Sequence, residues 1–230
     1  MPVILSIETS TSVCSVALSK DGICLAEKVN FEGLSHATLL AVYVQEILAF
    51  AKEKELKIDA IAISCGPGSY TGLRIGVSTA KGLCFGFGIP LIAINTLQIM
   101  AFTVNESQPI TDNTLLCPMI DARRMEVYAA FYNNKLETVR ETSADIIEND
   151  SYADLLSKYQ ILFFGNGADK CKAALTHPNA LFLNEIHPIA KNMITLAEAS
   201  FEAQRFEDVA YFEPFYLKEF VTTTPKNKVF

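Results

Sequence analysis

Residues 58–69 read Ile-Asp-Ala-Ile-Ala-Ile-Ser-Cys-Gly-Pro-Gly-Ser, an apolar run that ends in a glycine turn. The run is short and rich in isoleucine, which predicts a buried strand. A second apolar run ends in the same way, at Phe164-Gly165-Asn166-Gly167, and two earlier runs each end on a carboxylate, at Ile7-Glu8 and Ile120-Asp121. Because both pairs recur in the same order, the sequence favours a duplicated α/β unit over one doubly wound sheet.

The rest of the chain can be read outward from this repeat. We expect strands near 3–8, 13–19, 22–31, 58–65 and 91–94, a helix from His36 to about Lys54 with Ser35 as N-cap, and a helix over 70–87. A polar stretch, 105–113, precedes a similar order: strands near 115–120, 125–132, from about 136 and at 161–164, with a helix over 152–158. The predicted domains are 1–105 and 106–221, followed by a flexible tail, 222–230.

The composition limits the classes of partner. Half of the 230 residues are hydrophobic, so we expect a folded chain, and the formal charge of −7 would repel a polyanion such as tRNA. Contact with RNA therefore needs a partner protein. The N-terminus has neither a basic leader nor a long apolar stretch, so we expect a cytoplasmic protein with no membrane association.

Three loops have residue types that hold nucleotides. Glu8-Thr9-Ser10 places hydroxyls behind a carboxylate, Asp121 takes the matching place in the second half, and Gly165 and Gly167 permit close backbone approach. A cleft lined by one loop from each half and a glycine turn is how actin-like and sugar-kinase folds hold ATP. Taken alone, the Glu8 loop and the Gly165 loop are better explained as ordinary turns, and the Asp121 loop is equally well explained as one.

The two long helices carry unusual patterns. Gly72, Gly76 and Ala80 form a small-residue stripe that lets another helix backbone come close, although each glycine costs the helix roughly 1 kcal/mol relative to alanine. The helix from His36 is apolar on two sides, so one side is left for an interface. We expect these helices to build a dimer surface; the alternative is that both are covered within the monomer.

The histidines give no sign of a metal site. His36, His177 and His187 show neither H-x-x-x-H nor H-E-x-x-H spacing, and no Ser/Cys and His arrangement for hydrolysis is visible. The six cysteines form no C-x-x-C pair, and most lie in apolar runs, which is typical of buried thiols. We therefore expect no metal and no catalytic residue.

Four segments together resemble one protein family. They are Ile7-Glu8-Thr9-Ser10, Ser35-His36, the glycine segment Gly66-Pro67-Gly68-Ser69-Tyr70-Thr71-Gly72-Leu73-Arg74-Ile75-Gly76, and Ile120-Asp121-Ala122-Arg123-Arg124. In sequence and order they resemble the TsaB (YeaZ) family, and the glycine segment is the specific one. The resemblance is good from about Val3 to Tyr132 and weaker in the second half.

The resemblance implies a fold and a role. The fold would be α/β, with two tandem actin-like ATPase (ribonuclease H-like) lobes, each a mixed five-stranded sheet with flanking helices. The role would be that of a non-catalytic subunit that binds and activates TsaD, the threonylcarbamoyl transferase acting on adenosine 37 of tRNAs reading ANN codons, and that helps recruit TsaE. Alone, such a chain would form a homodimer, and ATP with magnesium would bind weakly or in the partner.

The resemblance also implies two sets of residues. The partner interface would comprise His36, Leu39, Val42, Tyr43, Gly72, Ile75, Gly76, Thr79 and Leu83, and a vestigial nucleotide cleft would comprise Glu8, Thr9, Ser10, Asp121, Gly165 and Gly167. One alternative stays open: an ATPase or phosphotransferase of the same fold using Glu8 or Asp121 with magnesium. An M22-type metallopeptidase is less favoured, because no metal-ligand pair is visible.

Overall fold

A computed structural model describes residues 2–33 and 36–217. The first half contains β1 (Val3–Glu8), β2 (Cys14–Lys20), β3 (Ile23–Asn30), α1 (His36–Glu53), β4 (Ala60–Gly66), α2 (Tyr70–Phe87) and β5 (Leu91–Asn95). The remainder contains α3 (Thr96–Ser107), β6 (Thr114–Asp121), β7 (Glu126–Tyr132), β8 (Thr138–Ile146), α4 (Ala153–Leu156), β9 (Gln160–Phe164), β10 (Ala180–Phe182) and α5 (Ile194–Glu202). The predicted Ser35 cap and the predicted tail 222–230 lie outside the described residues.

The two halves share one sheet topology. The first sheet has the order β3-β2-β1-β4-β5 and the second the order β10-β9-β6-β7-β8. In each, the first strand pairs antiparallel with the next strand in the chain and parallel with the fourth, as β1 does with β2 and β4 and as β6 does with β7 and β9. The predicted duplication and the two mixed five-stranded sheets with flanking helices are confirmed.

The centre of the first sheet is buried on both faces. One face of β1, with Leu5 and Ile7, packs in a cluster that includes Leu40 of α1 and Val77 of α2. The other face, with Ile4, packs in a cluster that includes Met193 and Ala197. Burial on two faces explains why β1 is a continuous apolar run instead of an alternating one.

Helix α3 is missing from the sequence prediction. Asn95 caps it, because its side-chain oxygen accepts hydrogen bonds from the backbone N–H groups of Leu97 and Gln98 at 2.8 and 3.2 Å. The predicted boundary between residues 105 and 106 falls inside this helix. Its Leu97 and Met100 pack against β6 in the second half, so α3 joins the two sheets.

Two further corrections concern the second half. The helix predicted over 152–158 is a single turn, α4. The sequence prediction also lacks β10 and α5, although α5 covers the first sheet through Ala197. No helix within the described residues has the length and apolar character needed to cross a bilayer.

Residues 207–216, which we call the C-terminal strap, cross back over the first half. Glu207 pairs antiparallel with Leu91 of β5. The N–H of Phe215 donates to the carbonyl of Cys65 at 2.7 Å, where β4 ends. The strap therefore covers the edge of the first sheet and the glycine turn that follows β4.

Candidate functional site

The first predicted cleft loop is closed to solvent. Glu8, Thr9 and Ser10 are all fully buried. The N–H of Ser10 donates to Glu8 Oε1 at 2.5 Å. Burial raises the pKa of the Glu8 carboxyl, and hydrogen bonds from Ser10 and Ser64 oppose that rise only in part. A carboxyl in this environment favours its neutral form, which is a poor ligand for Mg²⁺.

The glycine segment covers this loop. A Cβ on Gly72 would overlap the carbonyl oxygen of Thr9, and a Cβ on Gly76 would overlap Thr9 Oγ1. Thr9 Oγ1 donates to the carbonyl of Gly72 at 2.8 Å, and the N–H of Ser69 donates to the carbonyl of Ser10 at 2.6 Å. The expectation that another helix approaches this stripe is corrected, because the close neighbour is the chain's own Thr9. Gly72 and Gly76 are therefore buried inside the first half.

The second predicted cleft loop is open. Asp121 is exposed at the end of β6, its N–H donates to Asn166 Oδ1 at 3.0 Å, and its carboxylate forms an ion pair with Lys170. A Cβ on Gly167 would lie 2.8 Å from the carbonyl carbon of Ile120. Gly165 lies in the left-handed region, at φ 100°, where glycine is favoured. The structure thus brings Asp121, Gly165 and Gly167 together at one end of the second sheet.

The two loops are not joined by polar contacts in the part of the chain that the structure describes. Within the described ranges, no hydrogen bond or ion pair joins Glu8, Thr9 or Ser10 to Asp121, Gly165 or Gly167. A cavity of about 40 Å³ lies where the turn at Pro67 and Gly68 faces Tyr128 of β7. Small-molecule sites usually have roughly 300–1,000 Å³, so this gap is too small for a nucleotide, and none of the six predicted cleft residues lines it.

The histidines and cysteines described next pack or hydrogen-bond within the fold. His36 is buried, with Nε2 2.8 Å from the carbonyl oxygen of Thr11, and His187 packs edge-on against Phe31. Burial raises the pKa of the Cys84 thiol to about 11 and that of Cys65 to about 12, which disfavours a nucleophilic thiolate. Residues 2–33 and 36–217 contain no cluster of three or more His, Cys, Asp or Glu side chains that could hold a metal ion.

The residues predicted for a partner interface differ in how far they are exposed to solvent. Helices α1 and α2 lie side by side on the first sheet. His36, Gly72 and Gly76 are buried, whereas a second group is half-buried, comprising Leu39, Tyr43, Ile75, Thr79 and Leu83. Val42 is 44% exposed. Binding of a partner by these residues stays a prediction.

The outward side of α2 contains residues that the sequence prediction missed. Gly82 and Gly86 are exposed, and a Cβ on either would have nothing within 4 Å. Phe85 between them is 87% exposed. The signal was present in the sequence, since these glycines are four residues apart like Gly72 and Gly76, but spacing alone does not tell which stripe faces inward. We call Val42, Gly82, Phe85 and Gly86 the outer helix face.

Comparisons with known proteins agree with the fold and the motifs. The profile of the family TsaD, tRNA N6-adenosine threonylcarbamoyltransferase, matches residues 33–226. The Escherichia coli tRNA threonylcarbamoyladenosine biosynthesis protein TsaB is 32% identical over 226 residues, which cover 94% of each chain. TsaB of Bacillus subtilis is 30% identical over 71% of this chain and 70% of its own.

Solved structures give the same result. YeaZ from Pseudomonas aeruginosa superposes with a TM-score of 0.77 at 26% identity, covering 94% of this chain and all of that one. A second Pseudomonas aeruginosa protein, described as similar to peptidase YEAZ, gives 0.81 at 25% identity over 95% of this chain and all of its own. The resemblance identified from the sequence motifs is confirmed: the chain belongs to the TsaB (YeaZ) family.

Proposed function

We propose that this chain is a non-catalytic subunit in the formation of threonylcarbamoyladenosine at position 37 of tRNAs reading ANN codons. It binds and activates a TsaD transferase and helps recruit TsaE. The names of the TsaB relatives support a role in tRNA threonylcarbamoyladenosine formation. The match to the TsaD profile supports a partner of related fold, with which a two-lobed chain can pair.

The observation that carries this proposal is the outer helix face. Gly82 and Gly86 lie on the exposed side of α2, where a glycine costs up to roughly 1 kcal/mol relative to alanine. No contact among the described residues offsets that cost, because nothing lies within 4 Å of either added Cβ. Exposed Phe85 and Val42 add apolar area. A partner helix that approaches the glycines closely would bury this area, which supports an interface here.

The state of the cleft residues supports a non-catalytic role. Glu8 is buried beneath the glycine segment with a raised pKa, so it is unsuited to holding magnesium. Asp121 is exposed but paired with Lys170, which already neutralises its charge. Neither carboxylate has the freedom that a metal-dependent phosphotransferase needs.

The interface is tested by placing one charge on the outer helix face. Val42→Glu and Gly82→Glu should each weaken binding to the TsaD of the same organism at least tenfold, measured by isothermal titration calorimetry. Ile146→Glu is the matched control, because Ile146 is 68% exposed at the end of β8 in the second half. An affinity unchanged by both test substitutions would remove the interface assignment, as would an equal loss from the control.

A second candidate function rests on the open second loop. Asp121, Asn166 and Lys170 meet beside a glycine turn; if ATP displaced the ion pair, Lys170 would face a phosphate and Asp121 its metal ion. An ATPase of this kind would bind ATP and magnesium without TsaD and lose hydrolysis in Asp121→Asn. Calorimetry of the isolated chain with ATP and magnesium separates the two functions, since the scaffold function predicts weak binding and no hydrolysis.

A further inference from the structure

A groove of about 370 Å³ runs between α2 and the C-terminal strap. One side of the groove is formed by α2, with Tyr70, Arg74 and Lys81. The other side is formed by the C-terminal strap, where Phe212 and Pro214 provide apolar surface. The strap thus occupies this flank of α2, while the half-buried Ile75 and Leu83 share a different one. No residue that lines the groove belongs to the outer helix face, although Phe85 follows Lys81 by one helical turn.

Arg74 is held in place by the aromatic ring of Tyr70. Its Nη1 donates to the hydroxyl of Tyr70 at 3.0 Å, and its guanidinium carbon lies 5.4 Å from the centroid of the same ring. No carboxylate in the described part of the chain forms an ion pair with it. An arginine that is already oriented loses little conformational freedom when it binds a carboxylate through its remaining donors.

Lys81 is a second cation with a free donor. Its ammonium donates to the carbonyls of Ala210 and Phe212 in the strap, at 3.0 and 3.1 Å, which leaves one N–H for another acceptor. Among the residues described here it also lacks a carboxylate partner. In a chain with a net charge of −7, two such cations along one groove are a local exception.

The spacing of these cations fits a peptide. Arg74 and Lys81 are seven residues apart on one helix, which is about 10.5 Å along its axis at 1.5 Å per residue. An extended chain advances roughly 3.3 Å per residue, so carboxylates two to four residues apart can reach both cations. The apolar strap wall lies between them and can take an aliphatic or aromatic side chain.

We propose that this groove binds an acidic segment of a partner protein, with carboxylates at Arg74 and Lys81 and an apolar side chain against Phe212 and Pro214. RNA fits less well, because its affinity depends on many neutralised phosphates. The groove offers two cations, which two carboxylates can neutralise, whereas RNA carries a phosphate at every nucleotide; Glu213 in the wall opposes either ligand. This site does not depend on TsaD binding at the outer helix face.

A synthetic probe tests the groove directly. The fluorescein-labelled peptide Gly-Glu-Leu-Glu-Phe-Glu-Leu-Glu-Gly is titrated with the full chain and followed by fluorescence anisotropy at low and high salt. Binding should weaken at least tenfold in Arg74→Gln, in a control peptide with Gln in place of Glu, and at high salt. Lys52→Gln, an exposed charge near the end of α1, should leave binding unchanged.

Three results would overturn the inference. The first is equal binding of the Glu and Gln peptides. The second is unchanged peptide binding in Arg74→Gln when the melting temperature of the variant is also unchanged. The third is displacement of the labelled peptide by a tRNA anticodon stem-loop at a lower concentration than the unlabelled peptide needs. Loss of TsaD binding in Val42→Glu with intact peptide binding would separate this site from the proposed interface. The two proposals can therefore fail independently.

Discussion

Alanine in place of Gly72 or Gly76 should destabilise the protein, whereas alanine at Gly82 or Gly86 should stabilise it. All four glycines lie within α2, so alanine has an intrinsic helix gain at each of them, up to roughly 1 kcal/mol in the helix interior and less at Gly86 near its end. What differs is the space around the new Cβ. It would overlap Thr9 at the first two positions and meet nothing within 4 Å at the last two.

The size of each effect follows from what the Cβ meets. At Gly72 it would overlap a backbone carbonyl, which cannot rotate away, so we take the upper end of the overpacking range, roughly 3 kcal/mol. Subtracting the helix gain leaves a net loss of about 2 kcal/mol. At Gly76 the obstacles are Thr9 Oγ1 and, at 3.1 Å, Ile63 Cδ1, both side-chain atoms, so the net loss should be about 1 kcal/mol.

A double substitution tests the assignment of the clash. Thr9→Ala removes Oγ1 and should cost about 1 kcal/mol through its lost hydrogen bond to the carbonyl of Gly72. Combined with Gly76→Ala it should restore part of the lost stability, because the obstructing atom is gone. Combined with Gly72→Ala it should restore none, since the carbonyl of Thr9 remains.

The assay is urea unfolding followed by circular dichroism, with all variants compared at one pH and temperature. Equal slopes with shifted midpoints would mean that the changes act on stability and not on the compactness of the unfolded chain. The reasoning is refuted if Gly72→Ala stabilises the protein as much as Gly82→Ala does. It is also refuted if Thr9→Ala rescues both inner substitutions equally.

Two carboxylates, Glu8 and Asp145, should change the stability of the protein with pH in opposite directions. Burial holds the pKa of Glu8 above its ordinary value of 4.5, so stability should fall as pH rises from 4.5 towards the folded-state pKa; Glu8→Gln should remove that fall and raise the midpoint of urea unfolding at pH 7. An unchanged pH profile would contradict this. Burial alone would raise the pKa of Asp145, but hydrogen bonds from Arg140, Tyr152 and Ser143 outweigh it and leave the pKa below 3.8. Its stabilisation is present above that pH and lost as pH falls through the folded-state pKa, so Asp145→Asn should cost about 1–3 kcal/mol at pH 7 and little at pH 2. An equal cost at both pH values in urea titrations would argue against the ion pair.

The duplicated unit could be predicted because its signals are local. A strand that ends in a glycine turn is visible in a dozen residues, and both copies form the predicted strand, in β4 and β9. The carboxylates Glu8 and Asp121 likewise end β1 and β6. Local signals do not show whether a side chain is exposed, however: Glu8 is buried, whereas Asp121 is exposed.

Helix α3 could not be predicted from periodicity, because it has almost no exposed face: only Glu106 and Ser107, in its last turn, are exposed. Five of its apolar residues are buried between the two sheets: Leu97, Ile99, Met100, Ala101 and Val104. A helix surrounded on most sides loses the 3.6-residue pattern that marks a surface helix. Only the cap at Asn95 remained as a signal, and it is a single residue.

Which pair of glycines in α2 faces the protein interior could not be predicted either, for a different reason. The contact that fixes it joins Gly72 to Thr9, more than sixty residues earlier in the chain. The strap contact between Leu91 and Glu207 spans an even longer separation. Neither contact leaves a pattern in either segment alone, so no reading of α2 by itself could tell its inner side from its outer side.

The placement of Met193 and Ala197 against Ile4 has a consequence for synthesis on the ribosome. The first sheet is complete in sequence once β5 has emerged, yet one of its faces waits for residues about 100 positions later. Ile99 of α3 covers part of that face at once; at roughly 5–20 residues per second, the part under Met193 and Ala197 stays uncovered for roughly 5–20 s. During this interval the nascent chain exposes isoleucine and alanine surface to the cell, so a chaperone should be needed most at mid-translation. Slower translation of the second half should then increase aggregation of a chain whose final stability is unchanged.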